Sequence, residues 1–337
     1  MKYELVYKNG KFDKIEIESP DVLTEGAVRI RPTEVGICGS DLYSIEILPG
    51  TESLRPGHEW IGVVEESNSS SYQKGDIVTS PVSFGCQKCR SCYDGKPNNC
   101  LNNQSLGGKE IGALRNEIIL QDQYLINLSH LNQEGLVLIE VAAVAEQAFL
   151  HMADLGLRAG KKDRVMIFGA GPVGLFCALK AKKEGLNYIL VELDKKRIEI
   201  AKELGLNIIA TGAALLKDDY HMSFDYIIDC SGDGNKKSGF WKYFLHFASV
   251  SSKLLVVGKY INEQKINSVL FTNRDVTIKW MRGLPKSVIE KAVVNWKEDL
   301  PDIGKSMITH EFSSVDVDKA FDIALRRENT GKVVVKI

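Results

Sequence analysis

Cys38, in Val35-Gly36-Ile37-Cys38-Gly39-Ser40-Asp41-Leu42, and His58 with Glu59, in Gly57-His58-Glu59-Trp60, bring a thiol, an imidazole and a carboxylate into 22 positions of a glycine-punctuated stretch. These are ligand types that zinc selects. Ser40 adds a hydroxyl two residues past the cysteine, where it could face whatever the metal holds. The pattern reads as half of a catalytic metal site. Cys177 and Cys230 fall in runs that look like packed helix and strand, so the third ligand must be sought elsewhere. Glu140 is the best candidate, an acid in an otherwise apolar helical run, where a carboxylate without a partner is costly to bury. Glu59 could itself ligate or stand behind His58, and a Glu140 turned to solvent is the bland alternative. His130, His151, His221, His246 and His310 each stand alone in the sequence and read as ordinary histidines.

A second group is denser. Cys86-x-x-Cys89-x-x-Cys92 followed by Cys100 can wrap one tetrahedral zinc with thiolates alone. Such a site has no open position and would be structural. Seven cysteines in a chain without an apolar leader favour metal over disulfides.

The third motif is Gly169-Ala170-Gly171-Pro172-Val173-Gly174, a G-x-G-x-x-G turn that follows the buried-strand run Arg164–Phe168 and opens an apolar-periodic helix. In that context the glycines permit a tight turn and close approach of a pyrophosphate to a helix N-terminus. Glu192, at the tip of the next strand, is placed to accept the ribose hydroxyls of NAD. It would repel the extra phosphate of NADP, a preference weakened by Lys195, Lys196 and Arg197 nearby. Arg197 is itself a candidate cofactor contact.

The elements that must position these groups change in texture along the chain. Residues 3–7 and 12–17 pair around Asn9-Gly10, a strong hairpin signal. Short strands and frequent turns continue to Glu117–Leu120, as in a compact barrel. A helix is expected from Gln133 to about Leu155, and from Arg164 strands alternate with helices, the mark of a parallel α/β sheet. Gly160-Lys161-Lys162-Asp163 reads as the turn before it. The last part mixes helices at 288–296 and 315–327 with strands at 308–312 and 332–337. At 337 residues two domains are expected. A net charge of −1 with interleaved signs gives no face for nucleic acid or an anionic membrane. The most apolar run, Leu136–Ala145, is short for a membrane span and carries Glu140, so a cytoplasmic protein is expected.

The order of these features resembles the zinc-containing medium-chain alcohol/polyol dehydrogenase family over essentially the whole chain. The matching residues are Gly36-Ile37-Cys38-Gly39-Ser40-Asp41, Gly57-His58-Glu59, the four-cysteine lobe, Leu138-Ile139-Glu140, the glycine turn and Gly331-Lys332-Val333-Val334. The resemblance implies an α/β fold in which a Rossmann doubly wound parallel sheet is inserted in a β-rich GroES-like catalytic domain. The expected boundaries are 1–149 with the zinc lobe at 86–100, then 150–284, then a return at 285–337. In the branch similar to sorbitol dehydrogenase a glutamate matching Glu140 is the third metal ligand. The resemblance further implies one catalytic and one structural zinc, NAD as hydride carrier, Ser40 as proton acceptor, and a homodimer or homotetramer. The expected substrate is a secondary alcohol of a polyol, sugar alcohol or sugar derivative, phosphorylated or a cyclitol among the options. Threonine, a simple alcohol, or a non-catalytic zinc-binding role are the alternatives. Phe84, Val82, Trp60 and Tyr43 are candidate pocket lining, with packing the stronger reading for any one of them. The chain departs from the family pattern at Val141, where a proline is usual, and at Tyr43, where a proton-relaying histidine is frequent. It departs again at Gly112-Ala113-Leu114-Arg115-Asn116-Glu117, where the pattern is Gly-Gly-Phe-Ala-Glu-Tyr.

Overall fold

The computed structural model describes residues 1–47, 52–160, 162–210, 220–232, 240–327 and 329–337. Lys161, in the expected turn at 160–163, lies outside them. The chain divides into two compact units, one of Met1–Ala143, Gly283–Arg326 and Lys332–Ile337, the other of Val144–Arg282 and Arg327–Gly331. The first crossing falls inside a helix rather than at 149/150, and the short segment 327–331 rejoins the second unit before the last strand.

In the first unit, β1 (Tyr3–Lys8) and β2 (Lys11–Glu16) form a hairpin whose two loop residues, Asn9 and Gly10, have φ of 52° and 85°. Positive φ at both positions suits the twist of the flanking strands, which is why Asn-Gly stands there. The unit continues through β3 (Ala27–Gly36), α1 (Gly39–Ile47), β4 (Glu59–Ser67), β5 (Ile77–Thr79), β6 (Ser83–Phe84) and α2 (Arg90–Tyr93). Next come β7 (Gln104–Ser105), β8 (Ile118–Gln121) and β9 (Ile126–Asn127), and then α3 (Ile139–Asp154), which passes from the first unit into the second at Ala143/Val144.

The second unit holds β10 (Arg164–Phe168), α4 (Pro172–Lys183), β11 (Asn187–Val191), α5 (Lys195–Glu203), β12 (Ile208–Ile209) and β13 (Phe224–Asp229). It ends with α6 (Phe240–Phe247), β14 (Ala248–Val256), α7 (Ser268–Asn273) and β15 (Thr277–Trp280). The chain then adds α8 (Lys286–Trp296), α9 (Leu300–Met307), β16 (Ile308–Ser313), α10 (Val317–Arg326) and β17 (Lys332–Lys336) to the first unit.

The first unit's main sheet runs β16-β17-β3-β4-β5-β9, with β8 also on β3. β8 pairs with Ala27–Ile30 and β17 with Glu34–Gly36, so two strands share one edge of the long β3. The register against β4 shifts at Pro32, which has no N–H to give to a ladder. Val28, Ile30, Val35, Trp60, Val64, Val78, Val333 and Val335 build the core beneath this sheet. In the second unit every strand pair is parallel and the order is β12-β11-β10-β13-β14-β15. That is the doubly wound order, which reverses between β10 and β13.

Residues Leu136–Asp154 are long and apolar enough by composition to cross a membrane, further than the 136–145 run suggests, but 72% of the stretch is buried inside the protein. It is a core helix. α1, α2, α6, α7 and α9 answer to no helix expected from the sequence. Their hydrophobic faces are short and, in α1, broken by the polar residues of the site itself.

Candidate active site

The site is built where β3 stops. Gly36 pairs with Glu59 on β4 and with Val334 on β17, so the chain after β3, the start of β4 and the start of β17 meet at one point. The Asp41 carboxylate accepts the Cys38 N–H at 3.0 Å and the Asp41 N–H donates to the Cys38 carbonyl at 3.1 Å. This closed turn fixes Cys38 at the head of α1. Ser40 Oγ lies 3.2 Å from Cys38 Sγ and 3.3 Å from His58 Nε2. The other ring nitrogen, Nδ1, is 3.4 Å from Asp41 Oδ1. A carboxylate behind a histidine fixes its tautomer and turns the opposite nitrogen outward as a ligand. Gly107 supports the same ring: a Cβ there would stand 2.6 Å from His58 Nδ1.

Cys38, His58 and Glu59 offer Sγ, a ring nitrogen and a carboxylate oxygen all within 4.8 Å of one another. Glu59 and His58 are buried, and so is Lys332, whose ammonium is paired with Glu59. Glu140, 6% exposed, feels the charges of Glu59, His58 and Lys332 but does not belong to that tight trio. Burial, then the charge of Glu59, push the Glu140 carboxyl up to about 7. Burial opposes charge on His58, yet the facing Asp41 and Cys38 outweigh it and hold the imidazole well above its usual value. For Lys332 burial is likewise outweighed, by Glu59, Cys38 and Glu140, and its pKa is raised.

Asp41, Glu59, Glu140 and the Cys38 thiol thus face one lysine and one histidine. A pocket with this surplus of acids, a soft sulfur and an outward imidazole nitrogen fits a divalent zinc ion. The four-cysteine lobe fits one as well. Cys89 Sγ is 3.6 Å from Cys92 Sγ and 3.7 Å from Cys100 Sγ. Thiolates around a tetrahedral zinc stand about 3.8 Å apart. α2 carries Cys92 into the group, and Gly85 must lack a side chain because a Cβ would come within 2.6 Å of Cys92 Sγ.

The dinucleotide turn lies at the carboxyl end of β10. Gly169 has φ 95°, a Cβ on Gly174 would sit 1.8 Å from the Gly169 carbonyl oxygen, and a Cβ on Gly171 would meet only open space. The first and third glycines therefore serve packing, and the middle one leaves room for a phosphate. Gly171 caps α4 without a side-chain hydrogen bond, and Pro172, with no N–H, begins the helix. Val173 follows in its first turn. Glu192 is drawn into the same loop: its carboxylate accepts the N–H groups of Ala170 at 2.8 Å, Leu193 at 2.6 Å and Asp194 at 3.0 Å. Arg197 Nη1 is 3.8 Å from Glu192, while its other nitrogens donate to the carbonyls of Thr330 and Arg327. In this structure Arg197 ties the 327–331 segment to the second unit.

Other expectations change. Trp60 is fully buried with its indole N–H toward Ser80 Oγ at 3.3 Å, which settles it as a packing residue of the core. Phe84, 7% exposed, packs on Tyr124 at 4.7 Å between ring centroids. His221 and His246, isolated in sequence, have ring centroids 5.0 Å apart. Tyr43 lies on α1 and is partly exposed. Sequence reasoning assigned no part to Asp41 or Lys332. Asp41 sits inside the quoted cysteine motif, and Lys332 inside Gly331-Lys332-Val333-Val334, so both signals were present without a geometry to interpret them.

A profile of the alcohol dehydrogenase GroES-like domain matches residues 24–130. The chain is 30% identical over 226 residues to a D-arabitol-phosphate dehydrogenase of Enterococcus avium, a match covering 65% of this chain and 62% of that relative. It is 26% identical to a sorbitol dehydrogenase of Halalkalibacterium halodurans, covering 87% of each. Among solved structures, galactitol-1-phosphate dehydrogenase of Escherichia coli superposes with a TM-score of 0.83 at 20% identity, covering 100% of both chains, a likeness of fold. Residues 24–130 match the alcohol dehydrogenase GroES-like domain, and with the metal trio, the thiolate lobe and the dinucleotide turn the chain is similar to zinc-type alcohol and polyol dehydrogenases.

Proposed function

We propose that the protein is an NAD-dependent dehydrogenase acting on a secondary alcohol of a polyol, sugar alcohol or sugar derivative. The observation that carries this is the position of Ser40 Oγ, within hydrogen-bond reach of both Cys38 Sγ and His58 Nε2 at the mouth of a zinc-type donor set. When bound, zinc supplies Lewis-acid polarisation of the substrate oxygen, and NAD supplies the hydride acceptor. Cys38 and His58 hold the metal, with Glu59 or Glu140 as third ligand. Asp41 orients His58, and Lys332 balances the acids. Ser40 takes the hydroxyl proton, and Tyr43, further along the same helix, stands in the relay position toward solvent. Gly169, Gly171, Pro172, Val173 and Gly174 hold the pyrophosphate, and Glu192 the adenosine ribose. Two relatives named above act by name on a polyol or its phosphate, which supports the substrate class. The same reading makes the protein a cytoplasmic homodimer or homotetramer.

The test is a panel of polyols, polyol phosphates, threonine and simple alcohols followed by NADH absorbance, with NADP in parallel. Turnover of polyols with NAD is expected, together with its loss in Cys38→Ser. Normal turnover by a Cys38→Ser protein shown to lack the catalytic zinc would sink the reading.

A further inference from the structure

Asp229 is fully buried at the carboxyl end of β13, and none of the steps above uses it. Burying a carboxylate is costly unless its oxygens are hydrogen-bonded, and here both are. Oδ1 accepts the Ser231 N–H at 3.0 Å and the Ser231 hydroxyl at 2.6 Å. Oδ2 accepts the Tyr260 hydroxyl at 2.5 Å, and the Asp229 carbonyl takes the N–H groups of Val257 and Gly258. One residue thus binds both the loop that follows β13 and the loop that follows β14.

The two loops also touch backbone to backbone. A Cβ on Gly232 would lie 2.5 Å from the Lys259 carbonyl oxygen, and one on Gly258 2.3 Å from the Gly232 nitrogen. Ser231 in turn packs on the dinucleotide turn, 3.1 Å from where a Cβ of Gly169 would be. Tyr260 is braced from behind by Trp241, edge-on at 6.0 Å, which stacks on Trp280 at the end of β15. Phe168, Asp229, Val256 and Trp280 are successive register partners across β10, β13, β14 and β15, so this whole assembly lines the carboxyl edge of one half of the sheet.

In a doubly wound sheet the dinucleotide crosses the point where strand order reverses. Glu192 and the glycine turn serve the half on the β11 and β12 side, and the other half carries the nicotinamide. We propose that Asp229 and Tyr260 form a latch that sets the loops 230–232 and 257–260 as the seat of the nicotinamide half of the cofactor. They are positioning residues: the latch acts through the loop backbones and fixes their spacing relative to Gly169. The proposal rests on the dinucleotide reading above.

Tyr260→Phe keeps the ring against Trp241 and removes only the hydroxyl. Asp229→Asn keeps the volume and weakens the same bond from the other side. NADH affinity is read by fluorescence titration and AMP affinity by calorimetry, both on the intact protein. The expected result is an NADH Kd raised about tenfold in both variants, the scale of one lost hydrogen bond to a charged group, with the AMP Kd unchanged. AMP occupies only the adenosine half, so a merely structural loss would weaken both ligands together. Equal weakening of NADH and AMP, or unchanged NADH binding, overturns the latch. A wild-type protein that binds neither ligand overturns the dinucleotide reading and the latch with it.

Discussion

The Lys332 ammonium is buried against the Glu59 carboxylate at the one place in β3 where a side chain is missing. A Cβ on Gly36 would stand 2.6 Å from Glu59 Oε2 and 2.8 Å from Lys332 Cε. Gly36 is there because the pair fills its side-chain volume. The Lys332 ammonium thus lies among the acids Glu59 and Glu140 and the Cys38 thiol. Replacing one partner of a buried pair leaves the other charge uncompensated and costs about 3–5 kcal/mol. Lys332→Met should therefore lower the melting temperature strongly in the presence of a chelator and much less with zinc, because a dication restores the balance. Calorimetry of both forms checks it, and an equal loss with and without zinc would contradict this role.

Two separate donor sets predict a definite metal count. Elemental analysis should find about two zinc ions per wild-type chain and about one in Cys38→Ser, as expected for one structural and one catalytic site. Cys100 is buried among the other three thiols. Cys100→Ser should lose the other ion and much of its stability, since a structural zinc contributes folding free energy directly. The Cys38 variant should unfold nearly as the wild type does.

Gly174→Ala places a methyl group 1.8 Å from the Gly169 carbonyl oxygen. The turn and the helix cannot both keep their positions, so NADH fluorescence enhancement should be lost while zinc content is retained. Gly171→Ala meets no protein atom within 4 Å and should fold normally. It should still weaken NADH, because the methyl occupies the space left for the phosphates. Normal NADH binding by Gly171→Ala would argue against that use of the space.

Patterns with a short period or a fixed spacing were legible from the sequence. Asn9-Gly10, the alternation of strands and helices after residue 164, Cys86 to Cys100 and the glycine turn all express local geometry, and the structure places each as its spacing implies. Partnerships across long separations were not legible. Lys332 and Glu59 lie 273 residues apart in sequence, and only the pairing of β17 and β4 with the end of β3 joins them. For Trp60 the sequence leaves pocket lining and packing both open, and strand alternation decides for packing by turning its side chain to the opposite face from Glu59, into the core. The departing segment Gly112–Glu117 shows the same limit. Its Arg115 pairs with Glu4 at 3.1 Å, and its Glu117 pairs with Lys2 and Arg29. No spacing rule connects those residues.

Glu117 makes the stability of the protein depend on pH. Its side chain is 3% exposed, with Lys2 Nζ at 2.7 Å and Arg29 Nη1 at 2.9 Å. Burial alone would raise its pKa, but the hydrogen bonds from Lys2, Ser19 and Arg29 outweigh burial and hold it at about 2. A carboxyl depressed in the folded state binds protons more readily when unfolded, so stability falls wherever the unfolded chain gains protons that the folded chain lacks. The contribution of Glu117 is complete above the usual carboxylate range and is lost as the pH drops from there toward about 2. Its size is on the order of 2 kcal/mol, after allowing for the solvent that reaches Lys2. Glu117→Gln should therefore be less stable than wild type at pH 7, and the two should converge at low pH. Urea unfolding at a series of pH values measures this directly: a gap that stays constant from pH 7 to pH 2.5 would mean that Glu117 stabilises by packing and not by charge.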